Sequence, residues 1–122
     1  MDEKWRLVSV LSRTGELLTE AHLLSSFSGR FFGLAFKDLQ RITRPAVLYP
    51  CRSIHTFFMR FPLDAFFVSA SGNVVKIIRN IPPNRVVLPV HKARLVIEMP
   101  AEKVYLPDVE SVYIPDLIAN SP

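Results

Sequence analysis

The chain has 122 residues, 49% of them hydrophobic and 21% charged, with a net charge of +4. That composition excludes intrinsic disorder, and the length is enough to bury one core without metal or disulfide staples, so a single domain over residues 1–122 is expected. Cys51 is the only cysteine, which excludes an internal disulfide and fits a reducing compartment. The first residues hold no signal-peptide core and no run reaches the ~18 apolar residues of a membrane span, so a cytoplasmic location is expected.

Residues 5–11 alternate loosely between apolar and polar side chains, and Thr14-Gly15 then supplies a turn, which predicts an opening hairpin returning over 17–21. Over 23–37 the residues Leu23, Leu24, Phe27, Phe31, Leu34 and Phe36 recur near helical spacing, and this predicts the one helical segment. Gly29 and Gly33 within it either admit a neighbouring backbone or divide the segment into short turns.

After Pro45 the character changes. Residues 46–49, 55–61, 63–70, 73–79, 86–90, 94–99 and 103–106 are short, rich in β-branched and aromatic residues, and read as strands. The clearest hairpin is Ser69-Ala-Ser-Gly-Asn73. Pro82-Pro83 fixes an extended arm unsuited to a central strand, because proline donates no ladder hydrogen bond. Many short strands with turns every ~8–12 residues predict a mainly β architecture, a compact sandwich or barrel-like domain with one short helical segment.

The stretch Pro50-Cys-Arg-Ser-Ile-His-Thr-Phe-Phe-Met-Arg-Phe-Pro-Leu-Asp64 sets a thiol, hydroxyls, an imidazole, guanidiniums and a carboxylate among aromatic residues. Polar groups in an apolar run must find partners or carry out chemistry, since burying them unsatisfied is costly. As a strand, 55–61 would place His55, Phe57, Met59 and Phe61 on one face and Thr56, Phe58 and Arg60 on the other. Asp64 then has Arg60, His55 or a backbone turn within reach.

Three chemistries compete there. Nucleophilic catalysis would use Cys51 or Ser53 with His55 as base and Asp64 as orienting acid, but no nucleophile elbow or cysteine-protease signature surrounds them. A metal site from His55, His91, Asp64 or Glu98, with Cys51, lacks the short ligand spacings that make such a motif specific. A polar cluster satisfied at a loop-to-strand entry, or held at the rim of a pocket, needs neither. Glu98, between Ile97 and Met99, has solvent, Arg94 or Arg79 as its candidate surroundings.

Charge is unevenly spread. From Arg30 to Arg60 there are six basic residues and one acid, Asp38, whereas from Leu95 onward there are five acids and one base, Lys103. Nucleic-acid binding would need Arg41, Arg44, Arg52 and Arg60 on one face, yet they are singly spaced without an aromatic ladder. It is not expected.

Gly33-Leu-Ala-Phe36, the 51–64 segment, Gly72-Asn-Val-Val75 and Leu95-Val-Ile-Glu-Met-Pro100 closely resemble the bacterial and archaeal family called domain of unknown function 192. The resemblance covers roughly Ala21 to Asp116. It implies a compact, mostly β fold with a short helical segment, and it carries over Gly33, Ser53, His55, Thr56, Met59, Pro62, Asp64, Gly72 and Glu98. Glu102 and Pro115 stand where the family usually has glycine. The resemblance brings no activity, because the family is uncharacterised and fold alone does not give function.

The expectation is a small β-rich binding or accessory module without cofactor or metal, acting on a small molecule or a protein partner. Its site would comprise Ser53, His55, Thr56, Arg60 and Asp64, with Glu98 opposite. The alternative is a hydrolase-type enzyme using His55 with Cys51 or Ser53.

Overall fold

The computed structural model describes residues 6–118 and is mostly β. Its strands are β1 (Arg6–Leu11), β2 (Leu17–Leu24), β3 (Ala46–Leu48), β4 (Ile54–His55), β5 (Leu63–Ser69), β6 (Val74–Ile81), β7 (Val86–Val87) and β8 (Ala93–Pro100). One short helix, α1 (Phe27–Phe32), and a 3-10 turn at Leu39–Arg41 lie between β2 and β3. Six strands form an open sheet in the order β1-β2-β3-β8-β5-β6, and β4 pairs separately with β7. All pairs are antiparallel except β2 with β3. That parallel step needs a crossover, which α1 and the 3-10 turn provide.

Strand alternation gives this sheet two buried faces. Leu24, Leu48, Ala65, Phe67 and Val96 face one core, closed by Leu34 and Ile42 of the crossover and by Ile54, Met59 and Phe61. Leu23, Val47, Phe66, Leu95 and Ile97 face a second core, closed by Leu106, Val112, Ile114 and Ile118 of the C-terminal segment. Both faces of β5 and β8 are therefore apolar, the pattern of central strands covered on each side. Isolated bridges Leu11↔Tyr113 and Asn73↔Ser111 clip the C-terminal segment to the sheet.

The expected hairpin at 69–73 joins β5 to β6. Ser69 N–H donates to Asn73 O at 2.8 Å and Gly72 N–H to Ser69 O at 3.0 Å, with Gly72 at φ 93°. Glycine is required there twice over, because a Cβ would also overlap the Val112 carbonyl. The Pro82-Pro83 arm follows β6, an edge strand, as the missing ladder donors dictate.

Four expected elements differ, among them the strand expected over 86–90, which ends at Val87 because its partner β4 offers only Ile54 and His55 for pairing. The helical segment is shorter than 23–37, because Leu23 and Leu24 complete β2 by pairing with Val47 and Leu48. Ser26 then caps α1 by accepting the Gly29 N–H at 3.0 Å, and Gly33, at φ 51°, ends it. The strand expected over 55–61 stops at His55, since Thr56 turns to bond the Pro82 arm and Phe58 adopts φ 66°. Residues 103–106 form no strand; Lys103 and Val104 N–H groups both turn back to Pro100 O. Trp5, at the start of the first expected strand, and residues 120–122, expected to fray, lie outside the described residues.

Candidate functional site

The carboxylate of Glu98 occupies the apolar first face of β8. Val96 precedes it on that face, and its cross-strand neighbours are Ala46 on β3 and Ala65 on β5. Two alanines beside a long acidic side chain leave unfilled space above the sheet. The crossover descends into that space: Gly33 lies so close that a Cβ would overlap Glu98 Oε1, and Leu34 N–H donates to the same oxygen at 3.1 Å. Only glycine admits this approach, and its φ of 51° aims the next amide at the carboxylate.

Glu98 is 1% exposed, and burial pushes its carboxyl up from 4.5 to about 7, with the Leu34 hydrogen bond pulling the other way. Oε2 has no hydrogen-bond partner among the described residues. A shift of that size corresponds to roughly 3 kcal/mol against the ionised form. Ile97 and Met99, fully buried on the opposite face, each contribute roughly 1.5–3 kcal/mol, so the strand holds despite the acid.

Above Glu98 lies a cavity of about 350 Å³ between α1, the β4–β7 pair and β8. His55, Ser53, Arg30, Phe31, Phe57 and Val86 are among its walls. The His55 ring packs between Phe31, at a centroid distance of 4.7 Å, and Phe57, at 5.3 Å. Its Nδ1 accepts the Phe57 N–H at 3.1 Å. In the neutral ring the proton therefore sits on Nε2, a buried donor with no protein partner. Arg30 stands at the mouth, with Nε and Nη1 donating to the carbonyls of Ser26 and Pro50.

Of the six residues expected from sequence, Ser53, His55 and Glu98 line this cavity and the other three do not. Thr56 is fully buried and outside the lining. Its hydroxyl donates to Pro82 O at 2.6 Å and accepts Arg85 N–H at 2.8 Å, which ties the loop after β4 to the Pro82 arm. Arg60 is exposed and pairs with Asp38 at 3.0 Å, not with Asp64. Asp64 points to the sheet's second face, where Arg79 at 2.8 Å and the Asn80 N–H at 2.9 Å satisfy both carboxylate oxygens. Arg79 also reaches Asp108 at 2.6 Å and Leu106 O at 2.7 Å, and its guanidinium lies 4.9 Å from the Phe66 ring centroid.

Cys51 is half-buried and bonds to the backbone. Its thiol donates to Ser53 O at 3.0 Å and burial pushes its pKa up. No group of three His, Cys, Asp or Glu side chains gathers among the described residues, and His91 is exposed. Glu98 meets neither Arg94 nor Arg79 nor solvent, the surroundings its sequence neighbours suggested. Arg30, Phe31 and Phe32 were not singled out as site residues; the Gly33 that follows them was the signal, since a glycine ending a helical run marks a close approach.

These features define a β-rich domain built on an open, mixed sheet. The family described as DUF192, Uncharacterized ACR, matches residues 10–110, and the chain belongs to it. Among curated proteins none matches. Two crystal structures share the fold. One, from Sinorhizobium meliloti 1021 and described as a "putative transcription regulator", has a TM-score of 0.71 at 14% identity, with 93% of this chain and 96% of that chain covered. The other, a protein of unknown function from Novosphingobium aromaticivorans DSM 12444, has a TM-score of 0.63 at 18% identity, covering 79% and 73%. At these identities the likeness is one of fold. No helix among the described residues is long and apolar enough to cross a membrane.

Proposed function

We propose that this chain is a binding module that receives a small molecule in the cavity above Glu98. The observation that carries the reading is the pairing, in one cavity, of a buried carboxyl that the fold answers with a single N–H and a buried imidazole N–H that it answers with none. Folded proteins satisfy buried polar groups almost everywhere, and the exceptions mark sites reserved for something else. The size suits the role, since ligand cavities run from ~300 Å³ upward and combine apolar walls with a few placed polar groups. Phe31, Phe32 and Phe57 supply those walls and remain partly open to solvent.

The hydrolase alternative asks for a nucleophile joined to His55. Among the described residues, the Cys51 thiol bonds Ser53 O and His55 Nδ1 is held by a backbone N–H, so neither feature supports a base–nucleophile pair. Ser53 does share the cavity, and that keeps it among the binding residues.

A metabolite library screened by thermal shift tests the reading. Compounds that stabilise the wild type and lose that effect with His55→Ala and Glu98→Gln, both verified as folded, are expected. Hits that stabilise both variants as well as the wild type would place binding elsewhere and contradict it.

A further inference from the structure

The chemistry of the cavity narrows what it can hold, given the proposal that it binds a small molecule. Its floor and wall present, with Glu98 ionised above pH 7, one acceptor and one donor. Glu98 Oε1 is occupied by Leu34 N–H, which orients the carboxyl group and leaves Oε2 to the cavity. His55 cannot rotate to exchange donor for acceptor, because Nδ1 is committed to Phe57 N–H and the ring is packed between Phe31 and Phe57. Nε2–H therefore stays a donor.

Net charge on a ligand is disfavoured from both sides. An anionic head placed beside His55 would meet Glu98, and Arg30, held to the Ser26 and Pro50 carbonyls through Nε and one Nη1 hydrogen, offers its remaining N–H donors at the mouth and not at that pair. A cationic head would leave the His55 donor unanswered and would face Arg30 at the mouth. The remaining walls are aromatic and aliphatic: Phe31, Phe32, Phe57, Val86, Leu48 and Met59. A dry apolar cavity of only about 150 Å³ already admits benzene, so one of about 350 Å³ has room for a ring with a substituent.

We infer that the cavity recognises an aromatic ligand carrying an uncharged head with one hydrogen-bond acceptor and one adjacent donor, a carboxamide being the simplest case. The head's carbonyl takes the His55 Nε2–H, its N–H goes to Glu98 Oε2, and the ring lies among Phe31, Phe32 and Phe57. A site built around a specific donor and acceptor discriminates against analogues that leave either one unanswered.

Three probes sharing a phenyl ring test this: benzamide, benzoate and fluorobenzene. Each is titrated into the intact chain at pH 8, where Glu98 is ionised, while NMR follows the His55 ring nitrogens and the Glu98 side-chain carboxyl carbon. Benzamide is expected to perturb both groups and to bind at least about tenfold more tightly than benzoate or fluorobenzene, the effect of one well-made hydrogen bond to a charged or strongly polar partner. Glu98→Gln offers a sharper arm. The Gln carbonyl keeps the Leu34 bond and turns an NH2 donor toward the cavity, so benzamide's advantage over benzoate is expected to vanish or reverse. Equal binding of all three probes with His55 and Glu98 perturbed would overturn the amide preference and leave the binding cavity standing. No perturbation of either residue by any probe at millimolar concentration would overturn the preference and the binding reading together.

Discussion

Two acids are buried in the same sheet, one strand apart, and the fold treats them oppositely. Asp64 on β5 and Glu98 on β8 are 3% and 1% exposed, and they point to different faces. Asp64 is answered by an arginine and a backbone N–H, and that arginine is held in turn by Asp108, Leu106 O and the Phe66 ring. Glu98 is answered by a single N–H and faces a cavity. A buried charge with a full set of partners holds a fold together; one with half a set costs stability and needs another reason to be there. The contrast separates a structural acid from a candidate functional one more sharply than sequence position does.

The largest effect is expected on the satisfied side. Arg79→Ala strands the Asp64 carboxylate and removes the bond to Leu106 O, so it should destabilise by about 4 kcal/mol in urea unfolding. A cost below ~1 kcal/mol would erase the difference between the two acids.

Next comes the pH response of Glu98. An acid whose pKa is higher folded than unfolded binds its proton more tightly in the native state. Its stabilisation is complete below 4.5 and is lost as pH rises, levelling off above about 7. Wild type should lose up to roughly 3 kcal/mol across that window relative to Glu98→Gln, which keeps the Leu34 bond and does not ionise. Parallel pH profiles for the two proteins would break the comparison.

A smaller effect sharpens it. Gly33→Ala should cost about 2–3 kcal/mol, combining a positive φ with overlap on Oε1. In a Glu98→Ala background only the φ penalty remains, so a double-mutant cycle should give more than about 1 kcal/mol of coupling. Strict additivity would mean that Gly33 is needed for its φ alone.

Much of this was legible in the chain, and the failures have physical reasons. The β-rich class, the Ser69–Asn73 hairpin and the exclusion of the Pro82-Pro83 arm from a central strand follow from local rules of alternation, turn chemistry and missing donors. The strand expected over 55–61 failed because Thr56 finds its partners 26 and 29 residues away, at Pro82 and Arg85, and no local pattern announces that. The helical segment ran too far at its start because Leu23 and Leu24 are spaced equally well for a helix and for the end of β2. Glu98 drew notice as an acid in an apolar strand, but its surroundings depend on Ala46, Ala65 and Gly33, three small residues that only the sheet register and the crossover bring together. Asp64 stood in the same motif as His55, yet strand alternation sends it through the sheet to Arg79, a pairing set by the β5–β6 register.

The central claim is that Glu98 is a buried carboxyl left incompletely satisfied by its own fold. Its side-chain carbon, followed by NMR as pH is raised in the uniformly labelled protein, tests that most directly. A midpoint near the expected value of about 7 would bear the account out. Titration in the usual range of exposed glutamates, near 4.3, would contradict it.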